Sequence, residues 1–148
     1  MDDLVPDALK KVLLVDDDRV TNMMHTRVLN RSGLVEQIDI ATDGRDALEY
    51  LEALKEGDNP PELILLAINI PRMDGFEFLE EYGRLPEHMR AGQIIIMLTT
   101  SLLESDRERA ESNPWVSRFA NKPVRAEDVP KMVKTYWETC PEHIARRA

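Results

Sequence analysis

Cysteine, histidine and aromatic side chains are scarce in this chain. Cys140 is the only cysteine, the three histidines His25, His88 and His143 are scattered, and Trp, Tyr and Phe together make 5% of 148 residues. One cysteine cannot close an internal disulfide, and without a C-x-x-C or a Cys/His cluster there is no zinc-ligand pattern. Long apolar runs are missing too. None approaches the ~20 residues that span a bilayer, and the opening MDDLVPDALKK is acidic where a secretory signal would be basic and then apolar. These absences predict a cytoplasmic protein with no membrane partner. Basic residues are in deficit, 19 against 28 acidic ones, for a formal net charge of -9. Such a surface repels a phosphate backbone, so nucleic acid is not expected as a partner. Neither G-x-G-x-x-G nor G-x-x-x-x-G-K-[ST] occurs, which argues against a dinucleotide or P-loop domain.

What is present is a regular alternation. With 43% hydrophobic residues the chain can bury one core and is too short for two ordinary domains. Short Val/Ile/Leu runs predict five buried strands: Lys11 to Val15, Gln37 to Ala41, Leu63 to Ala67, Gln93 to Leu98 and, weakly, Arg118 to Ala120. Between them, apolar residues at helical spacing predict helices whose stripes face the sheet. The stripes are Val20, Met24 and Val28, then Ala47, Leu48, Leu51 and Leu54, then Phe78, Leu79 and Tyr82. A fourth helix, Leu103 to Glu111, is mostly polar and should pack shallowly. A fifth carries Val129, Met132, Val133 and Tyr136 at i, i+3, i+4, i+7. The order predicts an α/β fold, a five-stranded parallel sheet with helices on both faces. Residues 1–10 read as an N-terminal extension, 11–139 as the domain, and 140–148 as a C-terminal tail.

In such a sheet, ligands gather at the carboxyl ends of the strands. The first strand ends in Asp16-Asp17-Asp18, the third runs into Ala67-Ile68-Asn69, the fourth into Thr99-Thr100-Ser101, and Lys122-Pro123 follows the fifth. Adjacent carboxylates repel, and a hard divalent cation such as Mg2+ relieves that repulsion through oxygen ligands. A hydroxyl and an ammonium beside them would donate to phosphoryl oxygens. Singly these residues are ordinary: Asp18 reads as a helix N-cap, Lys122 as a solvated amine, Thr99 as a turn hydroxyl. Their joint placement describes a Mg-assisted phosphoryl site.

KVLLVDDD, ATDGRDALEYL, PELILLAINIPRMDGFEFL, IIIMLTTS and FANKP together resemble a CheY-like receiver domain of two-component response regulators, over about residues 11 to 139. The resemblance implies a flavodoxin-like (βα)5 fold. It implies that Asp16 and Asp17 hold Mg2+, with Asp17 ligating directly, and that the Asn69 backbone carbonyl is a further ligand. By the same resemblance Thr99 is the switch hydroxyl, Lys122 the lysine before a cis proline, and Phe119 the aromatic that turns inward on activation. In the loop after the third strand, Gly75 is expected to supply a positive φ, with Pro71 stiffening the turn. A sensor histidine kinase or phosphotransfer protein is the implied partner, and the enzymology is at most the receiver's own phosphorylation and dephosphorylation. LTTS and the long last helix ending Tyr136-Trp137-Glu138-Thr139 resemble small single-domain regulators, including those that pair with bacterial phytochrome kinases. Output is then expected through protein contacts or phosphate relay, with no output domain after Thr139. Trp115 and Trp137 suggest a partner or homodimer surface on the fourth helix, fifth strand and fifth helix; the competing reading puts Trp137 in the core.

One position departs from the family. The acceptor aspartate closes the third strand two residues before Asn69, and Ala67 stands there. A methyl group cannot be phosphorylated, and the Asn69 amide is a poor nucleophile. Either this is a natural pseudo-receiver acting as an interaction module, or an aspartate has been changed to alanine in a phosphate-accepting protein. The intact surroundings favour the substitution. A haloacid-dehalogenase-type phosphatase, with Asp16 as nucleophile and Asp18 as acid, is the remote alternative. It requires an acidic pair at a strand end beyond the lysine, where Glu127 and Asp128 instead open a helix.

Overall fold

The computed structural model describes residues 7–55, 57–90, 92–100 and 103–139. Five strands, β1 (Leu9–Val15), β2 (Val35–Ala41), β3 (Leu63–Ala67), β4 (Ile94–Thr99) and β5 (Val116–Asn121), alternate with helices α1 (Arg19–Ser32), α2 (Gly44–Glu52), α3 (Gly75–Tyr82), α4 (Glu104–Glu111) and α5 (Asp128–Thr139). All pairings are parallel, in the order β2-β1-β3-β4-β5. The five expected strands are all present, with ends that differ from expectation by at most two residues. β1 starts at Leu9 because that side chain is fully buried and its N–H reaches the Leu34 carbonyl at 2.8 Å.

Alternate residues of the central strands feed two cores. Leu13, Val15, Ile64, Leu66, Ile95 and Met97 pack with α2 and α3. On the other face Val12 and Leu14 join Leu65, Ile96 and Leu98 against α1 and α5. Burial on both faces is why β3 and β4 read as unbroken apolar runs, every residue of each being buried. α4 buries only Ala110, as its polar sequence predicts.

Two expectations are corrected, and one choice between readings is decided. The buried face of α1 is Asn22, His25 and Leu29, while Val20 and Met24 are 61% and 46% exposed. The helix turns a polar edge inward because the two polar side chains find backbone partners: Asn22 Nδ2 donates to the Asp16 carbonyl at 2.9 Å and His25 Nε2 accepts from the Val124 N–H at 3.1 Å. Gly75 does not supply the positive φ of its loop; Arg72 does, at 63°. Gly75 is required for close approach, since a Cβ there would lie 2.5 Å from the Ala67 carbonyl oxygen and 3.1 Å from Ile68 Cα. Finally, Trp137 is only 9% exposed, packs edge-on against Tyr136 at 4.8 Å, and donates its indole N–H to the Asp7 carbonyl. It completes the core. Trp115 leans on Tyr82 of α3, with the Arg90 guanidinium over its ring.

Candidate functional site

The strand order reverses direction between β1 and β3, and the crevice there is where a parallel sheet receives ligands. Asp16 leaves β1 at this point and is 5% exposed. Such a buried carboxylate needs partners, and it has them: Oδ2 accepts from Lys122 Nζ at 2.6 Å and Oδ1 from the Asp18 N–H at 3.0 Å. Asp18 caps α1 through the Thr21 N–H, as the capping reading predicts. Asp17 between them is exposed and, among the described residues, makes no side-chain hydrogen bond. Asp16, Asp17 and Lys122 line one open cavity of about 390 Å³ together with Thr100 and Pro123.

Ala67 closes β3 beside Leu98 of β4 and is 2% exposed, its methyl packed in the core. Thr99 ends β4, also 2% exposed, and its carbonyl accepts the Lys122 N–H at 2.9 Å. That bond holds the Lys122 backbone against the end of β4, from where the side chain crosses to Asp16. The Lys122–Pro123 peptide is cis. Asn69 is exposed in the β3–α3 loop, and Phe119 lies half-buried on β5 with the Arg107 guanidinium 6.0 Å from its ring.

Two supports of this end of the sheet were not singled out from sequence. Asn22 and His25 hold the backbone on both sides of the Asp16–Lys122 pair, one at Asp16 and the other at Val124. Burial is the main cause that lowers the His25 pKa below its ordinary value; Lys122 works in the same direction and Asp16 against it. The neutral ring is therefore favoured, which is the form whose Nε2 can accept from Val124. Their signal was the spacing of Asn22, His25 and Leu29 at i, i+3 and i+7, masked by the more apolar Val20, Met24 and Val28. Across the crevice, Arg72 in its left-handed conformation forks onto Asp43 at 2.7 and 3.2 Å, and the Gly44 N–H donates to the Met73 carbonyl. Burial opposes the Asp43 charge, yet the Arg72 fork and the Asp46 N–H outweigh it and hold the carboxyl below the usual range. This clamp ties the β3–α3 loop, on which Asn69 sits, to the start of α2.

Asp16 and Asp17 present carboxylate oxygens to the open cavity, hard donors of the kind a divalent cation takes. Among the described residues no three carboxylate, imidazole or thiol side chains gather into a metal cluster.

Residues 12–134 match the response regulator receiver domain family. The chain belongs to that family. This receiver is similar to the probable methanogenesis regulatory protein FilR2 of Methanothrix harundinacea, 35% identical over 130 residues that cover 85% of this chain and 82% of FilR2. It is also similar to the response regulator Rcp1 of Synechocystis sp., 32% identical over 133 residues, 86% of this chain and 88% of Rcp1. The solved Mn2+-bound form of Rcp1 superposes with a TM-score of 0.66, over 87% of this chain and 92% of that one. A two-component response regulator from Cytophaga hutchinsonii superposes with a TM-score of 0.82 at 27% identity, covering 88% of this chain and 98% of its own. Bacteriophytochrome response regulators are among the other solved structures it resembles. In this receiver Ala67 ends β3 with a methyl group, while Asp16, Thr99 and Lys122 lie at the same end of the sheet. The family match sets the phosphatase reading aside, and Asp18, its proposed acid, caps α1.

Proposed function

We propose that this receiver serves two-component phosphorelay signalling in the cytoplasm, that its functional form carries an aspartate at position 67, and that with Ala67 it is locked out of phosphotransfer. The observation that carries this reading is the Asp16–Lys122 pair at 2.6 Å beside buried Thr99 and Ala67. The desolvation cost of a buried charge pair is offset only in part by the pair's own attraction, so a role in phosphoryl transfer accounts for the pair better than stability does. Lys122 would neutralise charge developing on the phosphoryl oxygens, Thr99 would donate to one of them, and Asp16 would hold Lys122 in place until then. A divalent cation, Mg2+ by the oxygen donors present, would be held by Asp17 and the Asn69 carbonyl and would supply further charge neutralisation. A sensor histidine kinase or phosphotransfer protein is the donor on this reading. The contact surface of α4, β5 and α5 is proposed to meet the next protein, or a second copy, through Arg118 and Phe119, Trp137 being committed to the core.

The test is intact mass after treatment with acetyl phosphate and Mg2+. This chain is expected to gain nothing, and Ala67→Asp one labile phosphoryl group. A folded Ala67→Asp that stays unlabelled would overturn the phosphate-accepting reading in favour of a natural pseudo-receiver that works through contacts alone.

A further inference from the structure

Lys122 presents its ammonium from the segment between β5 and α5, and that segment has few fixed points. The Lys122 N–H donates to the Thr99 carbonyl at 2.9 Å and the Val124 N–H to His25 Nε2 at 3.1 Å, while Pro123 between them has no N–H to give. The first anchor is a backbone carbonyl that any residue at the end of β4 would supply. The second is a buried side chain, and it depends on the identity of His25. Val124 packs in the core with Val129 and Met132, but apolar packing is non-directional, so the direction of its N–H is set by the histidine.

The other end of the ion pair is tied to the same helix. Asn22, one turn before His25 on α1, donates Nδ2 to the Asp16 carbonyl at 2.9 Å. Side chains at i and i+3 are neighbours on one helix face, so α1 holds the Asp16 and Val124 backbones at a spacing set by its own hydrogen-bonded turn. Between them Lys122 Nζ reaches Asp16 Oδ2 at 2.6 Å. Burial alone would not select this arrangement. Two polar side chains point inward while Val20 and Met24 stay in water, and Asn22 Oδ1 finds no partner among the described residues. An apolar stripe in their place would bury more apolar surface and leave no acceptor unsatisfied. Such departures from the local rules are expected where a site requires a particular geometry.

We infer that Asn22 and His25 are positioning residues, a two-point brace by which one turn of α1 fixes the reach of Lys122 to Asp16 and with it the place of the ammonium. Neither side chain takes part in the chemistry. Asn22 acts through the Asp16 backbone and His25 through the Val124 backbone. Without the His25 acceptor the Val124 N–H turns toward water, and Lys122, two residues away, moves with it. The use of the brace in phosphoryl transfer rests on the reading proposed above, since a displacement of about 1 Å is enough to slow such a reaction. The brace itself belongs to the chain as it stands, with Ala67.

The brace is tested by the rate at which N-acetoxysuccinimide acetylates Lys122 in the native full chain, read by peptide mass against the exposed Lys131 and Lys134. Lys122, its side chain 17% exposed and bound to Asp16, should react slowly. His25→Leu has no acceptor and should speed the reaction about tenfold, the factor expected when one buried donor loses its partner. His25→Gln offers an amide oxygen to the Val124 N–H and should return the rate most of the way to that of the unsubstituted chain. Asn22→Leu cuts the brace at its other end and should also speed acetylation, so the test does not depend on His25→Leu folding. Leu29→Ala is the control: it loosens α1 from the core without removing either bond, and should leave Lys122 slow. Lys122 unchanged in both His25→Leu and Asn22→Leu, His25→Gln as reactive as His25→Leu, or Leu29→Ala acting like His25→Leu at matched melting temperature would overturn the inference. In an Ala67→Asp background, His25→Leu should slow labelling by acetyl phosphate about tenfold and His25→Gln should restore it. Equal labelling rates with and without His25→Leu would overturn the positioning role. An Ala67→Asp chain that takes up no phosphate sinks the phosphoryl reading instead, and the acetylation of Lys122 then decides the brace by itself.

Discussion

At position 67 a methyl group stands where the proposed function calls for a carboxylate, and the consequences of changing it follow from burial. Ala67 is 2% exposed and close to a crevice already lined by Asp16 and Asp17. Ala67→Asp adds a third carboxylate there, so without divalent cation the variant should lose of order 1–3 kcal/mol in urea unfolding. Mg2+ should return that stability, and should bind the variant more tightly than this chain by calorimetry. Equal Mg2+ affinities would show that Asp17 and position 67 do not share a cation. His25 sets a different dependence. Its folded pKa lies below the ordinary value of about 6.5, chiefly because of burial, so the unfolded chain binds the proton more readily. Its contribution to stability is therefore complete above about pH 6.5 and is lost as pH falls through the folded pKa. Across that interval the unfolding free energy should fall on acidification, and His25→Gln should flatten the slope.

Among the elements, α1 and α5 are positioned by groups that hydropathy ranks poorly or ambiguously. α1 is anchored by Asn22 and His25 bonding to backbone on either side of the Asp16–Lys122 pair, which leaves Val20 and Met24 in solvent. α5 is anchored by Trp137, held by Tyr136 and the Asp7 carbonyl. Trp137→Ala should cost about 3–5 kcal/mol while the sedimentation coefficient stays as it is; a change in association state with little loss of stability would return Trp137 to an interface. α3 begins where Gly75 touches β3. Gly75→Ala must push apart the helix start and the Ala67–Ile68 backbone, and should destabilise by about 1–3 kcal/mol. Because the loop in between carries Asn69, the same substitution in an Ala67→Asp background should also slow labelling by acetyl phosphate.

Seen as a whole molecule, the chain concentrates its polar chemistry at one end of a doubly covered sheet and leaves its edge strand β2 beside a cationic helix face. No helix of the described residues is long and apolar enough to cross a membrane. With net charge -9, long-range repulsion should keep it off nucleic acid at physiological salt, checked by electrophoretic mobility of a DNA duplex in its presence.

The strand runs, their order and the residues at the strand ends were legible in the sequence, because a parallel sheet buried on both faces demands unbroken apolar strands and because polar residues at their carboxyl ends stand out against them. What only tertiary structure decided is which partners those residues meet. Asp16 pairs with Lys122 across 106 positions of sequence, and His25 meets Val124 across 99; no local pattern encodes either contact. The inward face of α1 was decided by two backbone groups waiting to be satisfied rather than by hydropathy, the need for Gly75 by the closeness of the Ala67 carbonyl, and the burial of Trp137 by an N-terminal carbonyl that arrives from the other end of the chain.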